Sequence, residues 1–136
     1  MPIVVEAVTA EKYAAWVAEQ KKQMAATAVD PGKQWTLDEL KEHGAKVYAA
    51  NCVACHQPNG MGMPKVFPAL SGSKVVNGPK DTQVQVVLNG RPGTAMAPFK
   101  RLSDADIAAV ITYTRNNWSN NVGDMVIPAE VKALRQ

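Results

Sequence analysis

The string Cys52-Val53-Ala54-Cys55-His56 sets the interpretation of the whole chain. Two thiols separated by two residues, with a histidine directly after the second, form the C-x-x-C-H motif of covalent c-type haem attachment. The thiols are spaced to bond the two vinyl groups of one porphyrin, and His56 is then held under the iron as an axial ligand. The string therefore predicts one haem c, bound covalently through Cys52 and Cys55.

Other interpretations of the cysteine pair fit the sequence less well. A zinc site needs four nitrogen, sulfur or oxygen ligands, but the chain has no second cysteine pair and one further histidine, His43. A thioredoxin-like dithiol is expected among alternating strands and helices, which the sequence lacks. The histidine after the pair also favours haem over a structural disulfide. We expect His43 to be a solvated surface side chain.

The second axial ligand of the iron could be a methionine, a histidine, a lysine or nothing, and the chain has six methionines. Met61 and Met63 follow His56 too closely for the chain to pass around the edge of the macrocycle. Met96 lies 40 residues after His56, in a loop shaped by glycine and proline, and is the predicted ligand. A thioether favours ferrous iron and raises the reduction potential. Because both axial positions are then filled, such a site suits electron transfer and not catalysis.

The surroundings of the haem are predicted from the same loops. If Nε2 of His56 faces the iron, its Nδ1–H needs an acceptor, and the carbonyl of Pro68 is the expected one. Arg91 or Lys74 is expected to pair with the haem propionates, with plain solvated charge as an equal alternative. The expected apolar lining, which could equally be general core, is Phe67, Leu70, Val84, Val87, Leu88 and Phe99.

Composition describes an ordinary globular chain of 136 residues, with 46% apolar and 20% charged residues. Aromatic residues make up 6%, so a core without a haem would be modest. No run of 18 apolar residues is present, and we predict no membrane span. The start lacks a basic leader. Since haem attachment takes place outside the cytoplasmic membrane, we expect a mature or excised piece of an exported protein on its periplasmic side.

The net charge of +3 is concentrated in one segment. Residues 65–101 contain six cations and one anion, Asp81. This is too little for a nucleic-acid-binding protein, and we predict no nucleic-acid partner. The excess of positive charge in this segment suits docking to an acidic protein face.

Capping residues and apolar spacing predict four helices. Thr9 caps the first, residues 10–26, and a turn at residues 29–33 marks a domain boundary. A capping box at Thr36 opens the second, residues 37–51, in which Gly44 suggests a close helix crossing. The last two helices are residues 82–89, capped by Asp81 and ended by Gly90, and residues 104–117, capped by Ser103; the tail after Trp118 is weakly patterned.

These features together resemble class I cytochrome c over residues 36–118. The resemblance rests on the first helix with Gly44 and Tyr48, the CVACH string, the Phe67-Pro68-Ala69-Leu70 string, a methionine loop and a final helix with Tyr113. It implies an all-α class I cytochrome c fold with haem c. In that family the first and last helices cross at the glycine and an aromatic side chain packs there.

The longer strings around the motif resemble the cytochrome c domain fused to subunit II of caa-type cytochrome c oxidases. MPIVVEAVTAEKYAAWVAEQ resembles the end of that subunit's dinuclear copper domain and its next helix. Met1 matches a copper ligand of the family, whose other ligands are absent here. The resemblance implies an N-terminal strand remnant and connecting helix in residues 1–34, a haem domain in 35–120 and a C-terminal tail in 121–136.

The function that this resemblance implies is electron transfer. Electrons would come from a soluble or membrane-bound cytochrome c donor and pass to the dinuclear copper domain of the same oxidase subunit. The chain itself would be no enzyme, and a monomer or weak dimer because Trp16 and its neighbours are left exposed. The alternatives are a free diffusible class I cytochrome c, against which residues 1–30 argue, and a haem peroxidase or gas-sensing domain with a weakly held sixth ligand.

Overall fold

A computed structural model describes residues 8–27 and 33–135, with the backbone alone for residues 20–27. Over these residues the chain is helical, and an isolated bridge between Met63 and Phe67 is the sole β-type pairing. The predicted all-α class is confirmed. The predicted strand remnant at residues 1–6 lies outside the described residues. The helices are α1 (Ala10–Thr27), α2 (Leu37–Asn51), α3 (Val53–His56), α4 (Lys80–Asn89), α5 (Asp104–Arg115) and α6 (Pro128–Leu134).

The chain divides into two compact units between Lys33 and Gln34. In the first unit, α1 begins directly after Thr9, whose side-chain oxygen accepts a hydrogen bond from the backbone N–H of Lys12 at 3.3 Å. This is the predicted cap. The rings of Tyr13 and Trp16 stack with their centroids 6.0 Å apart, and both side chains are more than half exposed. Of the predicted turn at residues 29–33, all but Lys33 lies outside the described residues.

Two capping boxes fix where α2 and α5 begin. Thr36 accepts from the N–H of Glu39, whose carboxylate accepts from the N–H of Thr36. Ser103 and Asp106 exchange the same two bonds at the start of α5. Each box satisfies backbone donors that a helix start otherwise leaves unpaired. Both starts are as predicted.

The predicted close crossing of α2 and α5 is confirmed at Gly44. A methyl group added there would overlap the backbone carbonyl of Ala109, and it would lie 2.6 Å from the Cβ of Tyr113. Only glycine lets the two backbones approach this closely. The crossing carries the hydrophobic core, whose buried members are Val47, Tyr48, Val84, Leu88, Ile107, Ala108, Val110, Ile111, Val126 and Val131.

The start of α4 differs from the prediction. The helix begins at Lys80 after Pro79, which makes no side-chain cap, so Asp81 is not its N-cap and lies in the first turn. Proline fixes φ near −65°, a value that suits entry into a helix, and Pro79 has φ −57°. The helix ends as predicted at Gly90, where φ is +68° and glycine avoids a steric cost.

The segment after Trp118 forms α6, which the sequence pattern did not predict. The helix buries Val131 completely, and Val126 before it is equally buried. Glu130 accepts a hydrogen bond from Lys80 Nζ at 2.6 Å and another from the backbone N–H of Ile127 at 2.9 Å. The segment is therefore part of the same core as α2, α4 and α5.

A buried arginine fastens the chain between α5 and α6. Arg115 is 2% exposed and donates Nε and Nη2 to the carboxylate of Asp124 at 2.7 and 2.8 Å. Its Nη1 donates to the carbonyls of Val76 and Gly78 at 2.7 and 2.8 Å. The hydrogen bonds from Arg115 lower the pKa of Asp124 below its usual value. A buried charge is tolerated here because each donor direction is filled.

None of the helices in the described ranges is long and apolar enough to cross a bilayer.

Candidate haem-binding site

The cysteine motif lies on a single helical turn directly after α2. Cys55 and His56 both donate their backbone N–H to the carbonyl of Cys52, at 3.2 and 2.9 Å. Residues i, i+3 and i+4 share one face of a helix, so the turn places Cys52, Cys55 and His56 on the same side. Both cysteines are partly buried, and His56 is 8% exposed.

The ring of His56 is oriented by the carbonyl of Pro68, the acceptor expected from the sequence. The distance from Nδ1 to this oxygen is 3.0 Å. A carbonyl can only accept, so Nδ1 carries the proton, and in the neutral imidazole Nε2 then carries the lone pair. This is the tautomer that a metal-binding imidazole needs.

The loop from His56 to Leu70 folds back on itself to bring Pro68 to the ring. Gly62 donates its N–H to the carbonyl of His56 at 2.9 Å, and Leu70 donates to the carbonyl of Gly60 at 2.7 Å. Both glycines have positive φ, and a Cβ at Gly62 would overlap the carbonyl of Phe67 and lie 2.6 Å from that of Pro68. The acceptor of His56 thus depends on glycine at position 62.

The predicted lining residues divide into two that are fully buried and four that are partly buried. Val84 and Leu88 are 1% exposed and belong to the core. Leu70 and Val87 are partly buried and pack against that core. Phe67 and Phe99 are half-buried. The last four combine apolar chemistry with incomplete burial, as expected of side chains that a porphyrin would cover.

Met96 is half-buried in the loop between α4 and α5. Its carbonyl accepts from the N–H of Arg91 at 3.0 Å, and its own N–H donates to Thr94 Oγ1 at 3.2 Å. A Cβ at Gly90 would overlap that carbonyl. The backbone at Met96 is therefore held from both sides. By contrast, Met61 and Met63 are 56% and 43% exposed.

An aromatic cluster supports the motif from the side of α2 and α5. The rings of Tyr48, Tyr113 and Trp118 lie with centroids 5.2–5.7 Å apart. The hydroxyl of Tyr48 donates to the carbonyl of Gln57 at 2.7 Å, and burial raises its pKa, so it stays a neutral donor. Trp118 was not predicted here, since it lies beyond the helix periodicity, and its partner Gly60 is 58 residues away.

The residues present fit a haem better than a metal ion held by side chains alone. Burial raises the pKa of the Cys52 thiol to about 11, and the nearby Cys55 adds to the shift. Across the described part of the chain, no three His, Cys, Asp or Glu side chains converge as a metal site. One covalently bound haem c fits the two thiols, the oriented imidazole and the apolar lining.

The prediction of a solvated His43 is wrong, whereas the prediction that Arg91 or Lys74 pairs with the haem propionates is not tested. His43 is not simply solvated: its Nε2 lies 2.7 Å from Asp106 Oδ1, and its side chain is 21% exposed. Its ring also lies 5.6 Å from that of Trp35, so it ties α2 to the start of α5. Arg91 and Lys74 are exposed, and their pairing with propionates stays a prediction.

Comparison with known proteins gives a consistent group of relatives. Residues 39–113 match the family described as "Cytochrome C oxidase, cbb3-type, subunit III". The cytochrome c subunit of a quinone alcohol dehydrogenase from Gluconobacter oxydans is 35% identical over 103 residues, which are 68% of this chain and 22% of that protein. The CcoP subunit of a cbb3-type oxidase from Azospirillum brasilense is 36% identical over 104 residues, 72% of this chain and 35% of that subunit.

A smaller relative is matched over most of its length. Cytochrome c-552 of Thermus thermophilus is 34% identical over 91 residues, which are 57% of this chain and 69% of that protein. The chain thus spans about a fifth to a third of the two larger relatives.

Proposed function

The chain belongs to the cytochrome c family, in the group of cbb3-type subunit III and class I c-type cytochromes, and we propose that it delivers electrons to the copper centre of a terminal haem–copper oxidase. The haem c supplies a one-electron iron couple. The role of the protein is to hold the iron in one set of ligands and to keep water away from it. Both tasks lower the reorganisation that accompanies a change of charge.

The observation that best supports an electron-transfer function is the hydrogen bond between Nδ1 of His56 and the carbonyl of Pro68. It leaves Nε2 available to a haem iron and fixes the ring plane, which supports ligation by His56. On the opposite face we propose the thioether of Met96 as the second ligand. If His56 and Met96 both bind the iron, a substrate finds no coordination site, and this favours a carrier over a peroxidase or gas sensor.

The oxidase assignment is supported by the resemblance of residues 1–20 and of the haem-domain strings to caa-type subunit II. In this proposal the acceptor is the dinuclear copper domain of the same subunit, and the donor is a soluble or membrane-bound cytochrome c. The parent is anchored to the cytoplasmic membrane, with this domain on the periplasmic side. A matching cbb3-type relative, named as an oxidase subunit, is consistent with an oxidase as the destination.

The second candidate is an electron-transfer subunit of a dehydrogenase. It is favoured by relatives named as cytochrome c subunits of quinone alcohol dehydrogenase and of gluconate 2-dehydrogenase. The two candidates differ in partner and in the direction of transfer. An oxidase domain gives electrons to copper, whereas a dehydrogenase subunit first receives them from the dehydrogenase to which it belongs.

The proposed docking site is the loop surface, which we define as the exposed apolar residues 61, 63 and 66 together with the exposed cations of residues 65–101. Met61, Met63 and Val66 are 43–62% exposed. The guanidinium of Arg101 lies 4.9 Å from the ring centroid of Phe99, which brings one cation to a residue of the proposed haem lining. Lys80 is not part of this surface, because it pairs with Glu130. The cations are Lys65, Lys74, Arg91, Lys100 and Arg101.

Stopped-flow mixing separates the two candidates. The reduced holoprotein is mixed with an oxidised dinuclear copper domain of a caa-type oxidase, and haem oxidation is followed. The oxidised holoprotein is separately mixed with a quinone alcohol dehydrogenase holding reduced cofactor. Rapid oxidation by copper, with slow reduction by the dehydrogenase, is expected. The reverse order of rates would replace the oxidase proposal by the dehydrogenase one.

A further inference from the structure

Arg135, just after α6, holds the end of the loop that carries Met96. Its Nε donates to Asp104 Oδ1 at 2.7 Å. Its Nη1 and Nη2 donate to the carbonyls of Lys100 and Leu102, at 2.7 and 2.8 Å. The rigid guanidinium fork fixes three oxygens in one geometry. All three acceptors lie within residues 100–104, and the first is four residues after Met96.

The stretch between Met96 and these acceptors is itself held by backbone bonds. Phe99 donates its N–H to the carbonyl of Val87 at 3.0 Å, and Leu102 donates to the carbonyl of Phe99 at 3.0 Å. Before Met96, the N–H of Arg91 donates to its carbonyl. The loop thus rests on α4 at Val87 and on Arg135 at its far end.

Arg135 can act as a fixed point because α6 is anchored independently of the loop. Val131 is fully buried, Glu130 pairs with Lys80 at 2.6 Å, and the carbonyl of Leu134 accepts from Gln85 Nε2 at 3.1 Å. Lys80 and Gln85 both belong to α4. The side chain of Arg135 is 27% exposed, so its bonds are partly shielded from water.

We propose that Arg135 is a positioning residue for the Met96 thioether: it keeps the loop closed so that the sulfur stays on the iron. This inference rests on the proposed ligation of the haem iron by Met96. In a two-state loop, an external ligand binds iron only when the sulfur has moved away. Its apparent affinity is then proportional to the open fraction, and loss of the Arg135 contacts increases that fraction.

The test is an imidazole titration of the ferric holoprotein, full chain, followed by the far-red sulfur-to-iron absorption band. Arg135→Gln is expected to raise the apparent imidazole affinity about tenfold, and Arg135→Lys, which keeps the charge but loses the fork, about threefold. Far-ultraviolet circular dichroism before each titration shows that the helices are intact. If Arg135→Gln does not fold, the imidazole affinity of Arg135→Lys alone tests the positioning role.

Two control variants separate the position of Arg135 from the general stability of α6. Glu130→Gln weakens the pairing of α6 with Lys80 but leaves every contact to residues 100–104. Lys132→Gln removes one exposed cation from the same helix. Lys132→Gln is expected to keep the wild-type imidazole affinity, and Glu130→Gln, which loosens one of the three anchors of α6, is expected to raise it by less than Arg135→Lys does. An equal rise in Glu130→Gln, or no rise in either Arg135 variant, would overturn the positioning role. Absence of the band in the wild-type protein would instead overturn the ligation by Met96 and, with it, this inference.

Discussion

Gly44 in α2 lies directly against the backbone carbonyl of Ala109 in α5. The contact is between the two backbones, so neither side can rotate away as a flexible side chain would. It fixes the crossing on which the core and the aromatic cluster are built. Position 44 therefore tolerates no side chain.

Gly44→Ala should lower the free energy of unfolding by about 2 kcal/mol, because the close backbone overlap puts its cost at the upper end of the overpacking range. The change gains about 1 kcal/mol in helix propensity, but overlap with a backbone carbonyl in a packed core typically costs about 1–3 kcal/mol or more. Urea unfolding of the holoprotein measures the difference. Ala49→Gly, on an exposed face of the same helix, isolates propensity and should cost about 1 kcal/mol. A Gly44→Ala variant as stable as wild type would show that the helices can separate.

Met96→Ala should abolish the far-red band of the ferric protein. Axial ligands set haem potentials over a range of about 0.8 V, and loss of the thioether should lower the reduction potential by on the order of 0.1 V. Rapid carbon monoxide binding to the reduced variant is also expected. Met61→Ala and Met63→Ala, which change exposed side chains, should keep the band. Loss of the band in Met63→Ala instead would move the ligand to position 63.

Electron transfer to an acidic partner should slow about tenfold as ionic strength rises from 0.01 to 0.15 M. The Debye length falls from about 30 Å to about 8 Å over this range, and the cations of the loop surface lose their steering effect. Stopped-flow rates at several salt concentrations measure it. Lys65→Gln should flatten the salt dependence. Lys46→Gln, which removes an exposed cation from α2, should not, and a rate that is indifferent to salt would exclude steering.

The stability that Asp124 contributes should disappear in acid. Hydrogen bonds from Arg115 lower the pKa of this carboxylate in the folded state. Its contribution is therefore complete above the unfolded value of about 4 and is lost as pH falls through the lower folded value. The difference in unfolding free energy between wild type and Asp124→Asn should shrink from pH 5 towards pH 2. A constant difference over this range would contradict the assignment.

The parts of the fold that the sequence predicted are those with local causes. The capping boxes at Thr36 and Ser103 act within four residues, and the glycine at 44 has a direct steric meaning. The start of α4 was misplaced because Asp81 has the chemistry of a cap, but Pro79 already sets the backbone two residues earlier. In such a case a rigid proline overrides a side-chain preference.

The parts that escaped prediction depend on partners far along the chain. α6 is short, and it is buried because Val126 and Val131 pack against core residues that are distant in the sequence. His43 and Asp106 form a hydrogen bond although 63 residues separate them in the sequence, and no local pattern predicts such a pair. Within the site, by contrast, the carbonyl of Pro68 was foreseeable, because the motif fixes which ring nitrogen needs an acceptor.

The crossing at Gly44 also has a consequence for the order in which the chain folds. It closes a loop of more than 60 residues, and that loop contains both cysteines, His56 and Met96. Closing a long loop costs conformational entropy before any contact repays it. If Leu70 and Phe99 line the haem as proposed, a porphyrin bonded at Cys52 and Cys55 would offer them a nearby apolar surface and so divide one long closure into shorter ones. Attachment of the cofactor is then a folding step as much as a redox one.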